Sequence, residues 1–305
     1  MDVLVEPRVW YKSTEEAMKD VEDSYDKYQG NLDGRLNIWA IPLQPLFATK
    51  ELLVRLKKFA DDKGAGLCMH SNYDPAEVDL CLKQTGKRPI QYLESIGVLG
   101  PNVVLVHVVY LSDSEYETLK KHDVKVVHCP TTALKLGYGV TKYGRFPEML
   151  KDGLTVSLGC DGVNGGSSFD MLRVMYLAAG LFKDSRADAT MISAEAALEM
   201  GTINGAKALQ MEDRIGSIEM GKFADLILLD RKRPEWNPLF NVVNTLIYHA
   251  TGDSVDTVLI NGEIIMENRK IRRVNEEELY ADVQRMGESM IRRSGLELRT
   301  RWRKV

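Results

Sequence analysis

Short apolar runs recur along this chain, and each is followed by a stretch with helical spacing. "GLCMHS", "NVVLVHVV", "VKVVHCP" and "LTVSLGCD" are the clearest. Their Val, Leu and Ile do not alternate with polar residues, so each run is predicted to be a strand buried on both faces, as in a parallel sheet. Parallel neighbours cannot be joined by a tight turn and need a crossover, usually a helix. The intervening segments supply one each time: "PAEVDLCLKQTG", "RPIQYLESIG", "SDSEYETLKKHD" with Ser112 as its cap, and "RFPEMLKDG". Upstream, "MDVLVEP" and "LNIWAIP" read as two further strands. "TEEAMKDVEDSYDKY", capped by Ser13 or Thr14, and "TKELLVRLKKFADDKG", stopped by Gly64, read as their helices. Repeated strand–helix units imply an α/β fold, either a doubly wound sheet or a (β/α)8 barrel.

The reactive side chains decide between these. His70, His107, His128 and Asp161 fall at or near the C-terminal ends of four separate strands. In a barrel those ends share one rim, where active sites are assembled. A doubly wound sheet concentrates its site at one crevice, usually with a glycine-rich phosphate loop, and no such motif opens a helix here. A TIM-type barrel is therefore expected. After about Phe182 the pattern changes. Two short helical segments precede a strand, "GKFADLILLD", and then "VDTVLINGEIIMENRKI", a hairpin turned by Asn261-Gly262. The end reads as an amphipathic helix and a basic tail. The expected division is a partial barrel over 1–215 and strands of a small β-sandwich with the terminal helix over 216–305.

Bulk properties narrow the partners. Of the 305 residues 44% are apolar and 28% charged, which is ordinary for a globular protein. A net charge of −4 argues against nucleic acid or an anionic membrane as the main partner. No apolar run approaches the ~18 residues of a membrane span. The start lacks the basic and apolar regions of a signal peptide, so the cytoplasm is the expected compartment. Cys68, Cys81, Cys129 and Cys160 form no CxxC pair and are expected to be free buried thiols. Two histidines and an aspartate on one rim suit a divalent metal and a water activated by it.

The blocks "MHSN", "VVHCPTTALKLGYG", "FPEMLKDGLTVSLGCDG", "GTINGAKAL" and "DRIGSIEMGKFADLILLD" resemble the amidohydrolase superfamily. The branch they resemble most holds triazine hydrolases, S-adenosylhomocysteine deaminases and cytosine/guanine deaminases. The resemblance runs from about Val5 to Ile271. It implies one divalent metal ion, zinc first and iron second, held by His70 and Asp161. Asp161 would also be the general base. His107 would orient the attacking water or polarise the leaving group. His128, Tyr73, Asp74, Lys135 and Asn164 are the candidates for substrate contact, with Ser168 expected to cap the next helix. The implied reaction is hydrolysis of a C–N bond of a small aromatic heterocycle, deamination of a nucleobase, pterin or triazine-like compound. A homodimer is implied as well.

Two positions depart from the family pattern. The family opens its barrel with an H-x-H pair, and this sequence has no histidine before His70. "MDVLVEP" and "LNIWAIP" then count as strands three and four, and the chain is expected to be the C-terminal two-thirds of a family member, inactive by itself. Deaminases of the branch often carry glutamate three residues after the strand-five histidine, and here that position is Tyr73. This leaves two competing expectations. One is a non-catalytic remnant. The other is a hydrolase of the same fold with another leaving group, a chlorohydrolase or an amidase.

Overall fold

The computed structural model describes residues 13–166 and 168–297. They fall into two compact units. The first comprises residues up to Lys222 together with Arg233–Gly252; the second comprises Phe223–Lys232 and Asp253 onward.

The first unit is built on a parallel sheet of β1 (Leu67–Ser71), β2 (Val103–His107), β3 (Lys125–His128) and β4 (Val156–Leu158), in that order. All three pairings are parallel. Helices Pro75–Thr85 and Pro89–Ser95 carry the chain from β1 to β2. Helix Asp113–Lys121 joins β2 to β3, with Ser112 as its cap in a reciprocal capping box with Glu115. Leu67, Met69, Val103, Leu105, Val126 and Val156 are wholly buried along the strands, which accounts for their unbroken apolar character. Because the strands are parallel and adjacent, His107, at the end of β2, stands opposite Ser71, one residue after His70.

"LNIWAIP" does not form a strand. Its contact with the sheet is one parallel bridge, Ala40 to Leu67, with Cys68 N donating to Ala40 O at 3.0 Å. Pro42 has no N–H to extend the ladder. Just after the segment, Leu43 O accepts from His70 N at 2.9 Å. "MDVLVEP" and the basic tail lie outside the described residues. Ser13 and Thr49 cap helices Thr14–Tyr28 and Lys50–Lys63, and Gly64 ends the second in the left-handed region. Helix Met171–Ser185 is capped by Asp170, which accepts from Leu172 N and Arg173 N; Ser168 Oγ instead accepts from Asp170 N at 3.2 Å. Trp236 is buried in a short 3-10 turn, a packing role.

The second unit is an antiparallel sheet of β5 (Leu226–Leu229), β6 (Val255–Ile260), β7 (Glu263–Glu267) and β8 (Lys270–Ile271). Asn261 and Gly262 turn β6 into β7 with φ of 50° and 78°, the double left-handed geometry of a tight hairpin. Helix Glu276–Ser294 follows. No helix among the described residues is long and apolar enough to cross a membrane.

Gly66 leaves no room for a side chain, since a Cβ there would run into the Trp39 indole. Gly66→Ala is expected to cost about 1–3 kcal/mol, the range for overpacking. Urea unfolding measures it, and an unchanged midpoint would refute the contact.

Candidate metal centre and aromatic rim

The C-terminal edge of the parallel sheet carries the reactive groups. His107 closes β2 and is 5% exposed; its Nε2 stands 3.7 Å from Asp161 Oδ2. His70 lies in β1, and its ring stacks on that of His107 with centroids 5.3 Å apart and planes 23° apart. His70 Nδ1 is 2.9 Å from the Leu43 carbonyl. With the proton on Nδ1, that bond leaves Nε2 as the free lone pair, the arrangement found behind metal-ligating histidines. Cys129, the residue after β3, joins the group. Its sulfur, a His107 nitrogen and an Asp161 oxygen all lie within 4.8 Å of one another.

Two tyrosines stand against this cluster. The Tyr73 and Tyr138 rings lie 5.7 Å and 5.4 Å from the His107 ring, and 5.4 Å from each other. Tyr73 OH accepts from Gln44 Nε2 at 2.9 Å, so the hydroxyl proton stays available to a further acceptor.

The backbone at this edge is strained. Asn72, His107, Val108 and Asp161 have φ of 55°, 77°, 50° and 60°. For a β-branched residue such as Val108 this is an outlier costing about 1–3 kcal/mol, tolerated where surrounding bonds over-determine it. Those bonds are present. Val108 N donates to Ser71 O at 3.0 Å, and Val109 N and Tyr110 N donate to Asn72 O at 2.9 Å and 2.8 Å. Asn72 Nδ2 donates to Glu115 Oε1 at 3.1 Å and to Tyr110 O at 3.0 Å. Glu115 is fully buried and also accepts from Arg88 Nε at 2.5 Å, Ile90 N at 3.2 Å and Ser112 N at 3.0 Å.

Burial dominates the electrostatics. It lowers His107 to about 4, helped by the neighbouring His70 and opposed by Asp161, so the imidazole is neutral near pH 7. It lowers His128 to about 3. It raises Tyr138 to about 12, and raises Tyr73 as well. Glu77 is raised to about 8 by burial, against the hydrogen bond that its Oε2 accepts from Tyr73 N at 3.1 Å.

Of the residues singled out in the sequence, His70, His107, Asp161 and Tyr73 meet. His128 is buried behind them, stacked on Phe146 with centroids 4.0 Å apart. Asp74 caps helix Pro75–Thr85, accepting from Ala76 N at 2.7 Å. Lys135 Nζ donates to Asn164 O at 2.9 Å, and both residues are exposed. Tyr138, Gln44, Asn72 and Glu115 escaped the sequence reading, and Cys129 figured there only as a buried thiol. Only Glu115 carried a local signal there, the spacing of its capping box with Ser112.

Residues 2–265 match the model of the amidohydrolase family. The chain belongs to that family. It is 36% identical over 281 residues to a 5-methylthioadenosine/S-adenosylhomocysteine deaminase of Caldanaerobacter subterraneus, covering 92% of this chain and 64% of the relative. It is 35% identical over 267 residues to a 5'-deoxyadenosine deaminase of Methanobrevibacter smithii, covering 87% of this chain and 61% of the relative. Among solved structures, an adenosine deaminase from Xanthomonas campestris with bound zinc superposes with a TM-score of 0.86 at 29% identity, covering 93% of this chain and 63% of that one. That likeness assigns the fold to the TIM-barrel type of the family. The chain thus spans less than two-thirds of the length of these proteins.

Replacing Glu115 by Gln leaves Arg88, a quarter exposed, without its anionic partner. The expected loss is roughly 3 kcal/mol, the low end for a broken buried pair because Arg88 is partly solvated. A loss below about 1 kcal/mol in urea unfolding would show the hub to be dispensable. Glu77 gives a pH signature. Its folded pKa of about 8 lies above the ordinary 4.5, so its contribution is fully present below pH 4.5 and is lost as the pH rises through 8. Glu77→Gln is expected to flatten the decline in stability across that window. Parallel declines in the variant and the parent would rule Glu77 out as its source.

Proposed function

We propose that these residues serve hydrolytic deamination of an adenine nucleoside or a related aromatic heterocycle, with a divalent metal, zinc first. The observation that carries the reading is the His107–Asp161 pair at the sheet edge, faced by His70 and flanked by Tyr73 and Tyr138. The names of the relatives supply the substrate class. The donor set fits zinc: His70 has one nitrogen engaged by the Leu43 carbonyl and the other free, and Asp161 contributes a carboxylate. His70 and Asp161 would hold the ion. A bound divalent cation makes water a competent nucleophile near neutral pH.

The chain's own groups do the rest. Water adds to the ring carbon that bears the amino group, and Asp161 takes its proton. His107, neutral at working pH, donates a hydrogen bond to the charge that develops as the ring loses aromaticity. The C–N bond then breaks, and the proton held on Asp161 leaves with ammonia. Tyr73 and Tyr138 stack on the planar ring and keep bulk water from the edge. A second reading rests on Tyr73. A phenol raised by burial is a poorer acid than the glutamate that the family resemblance leads one to expect there, and a halide leaving group needs no proton.

The test is ammonia release from 5'-methylthioadenosine and 5'-deoxyadenosine in the presence of Zn2+, with a 6-chloropurine nucleoside assayed for chloride in parallel. Ammonia in step with the deaminated product is expected, falling at least about 100-fold in Asp161→Asn. Chloride without ammonia would favour the second reading. Release of neither would refute both for this chain and favour the non-catalytic remnant that the missing H-x-H pair leads one to expect.

A further inference from the structure

The reading above leaves unused a donor of different chemistry beside the same carboxylate. Cys129 is 2% exposed, and its sulfur shares a 4.8 Å cluster with His107 and Asp161. Two ligands of one tetrahedral zinc stand roughly 3.3–3.6 Å apart, given bonds of about 2.0–2.3 Å. The Cys129 sulfur and the Asp161 oxygen, within 4.8 Å of each other, need close by only about 1 Å to reach that span.

The local structure makes room for the sulfur. Gly159, two residues before Asp161, would place a Cβ 3.1 Å from Cys129 Sγ and 2.9 Å from Val127. Its lack of a side chain lets the end of β4 close on the thiol. The surroundings are polar and unsatisfied. Thr131 Oγ1 and Thr132 Oγ1, two and three residues after Cys129, are buried without hydrogen-bond partners among the described residues. Thr132 also flanks the aspartate: a Cβ on Gly165 would lie 3.3 Å from Thr132 Oγ1 and 3.5 Å from Asp161 Oδ2. Buried polar atoms without partners beside a ligand cluster are the mark of a site that takes a polar or ionic occupant.

We propose that Cys129 is a sulfur ligand to the divalent metal held at Asp161. This rests on the reading that the sheet edge binds such a metal. The sulfur–metal bond forms as the thiol proton is released to solvent, with no change of oxidation state. The resulting nitrogen, oxygen and sulfur donor set favours zinc, cobalt or cadmium over magnesium or calcium.

Co(II) alone, added to the purified chain, tests this without any assay of turnover. The expected spectrum has visible ligand-field bands of a low-coordinate site together with a near-ultraviolet sulfur-to-cobalt charge-transfer band. Cys129→Ser should keep the visible bands, lose the near-ultraviolet band, and weaken Co(II) binding by more than about 100-fold, beyond what outer-shell partners contribute. Cys68→Ser and Cys160→Ser should keep both. Visible bands alone in the parent protein would overturn the sulfur ligand and leave the metal reading standing. A charge-transfer band that survives Cys129→Ser would do the same. Absence of bound cobalt in equilibrium dialysis would overturn both. Should Cys129→Ser not fold, zinc-edge X-ray absorption of the parent decides: a sulfur neighbour at about 2.3 Å is expected, and a shell of nitrogen and oxygen alone refutes it.

Discussion

One buried carboxylate fixes the geometry of the reactive edge. Glu115 has no exposure to water, yet Asn72, Arg88, Ile90 and Ser112 all donate to it. Those donors come from the loop after β1, from the approach to and first turn of helix Pro89–Ser95, and from the cap of helix Asp113–Lys121. The carboxylate therefore ties the exit of β1 to the exit of β2. His70 and His107 sit at those two exits, and their stacked rings are a product of the tie. A carboxylate buried with this many donors is stable because nearly every lone pair is used.

Around that tie, burial moves most groups toward their neutral forms. His107, His128, Tyr138, Glu77 and Cys129 are all shifted in the direction that desolvation dictates. Burial of this kind strengthens whatever charge is later placed beside it. Aromatic faces line the edge as well, with the Tyr73 and Tyr138 rings standing against His107.

Much of this was legible in the sequence, and the exceptions have physical reasons. The strands containing His70 and His107 showed in unbroken apolar runs, and the β6–β7 hairpin in the pair Asn261-Gly262, because those signals are local. "LNIWAIP" carried the same apolar signal but contains Pro42, which limits it to isolated contacts. Asp74 looked available for chemistry and is spent on a helix cap; Ser168 looked like a cap, and Asp170 holds that place. Cys129, Tyr138 and Gln44 reach the cluster through tertiary proximity. Nothing in their neighbours in sequence could announce it. Tyr73 was noticed only because a family pattern led one to look for glutamate there.

The left-handed pair His107–Val108 has a consequence for how this protein can change over time. Glycine at 108 would relieve the turn, so a chain under selection for hardiness alone gains by loosening the joint that aims His107. Stability and a fixed aim of His107 pull in opposite directions at this one peptide unit. A lineage that keeps valine there retains the aim of His107 at the expense of stability.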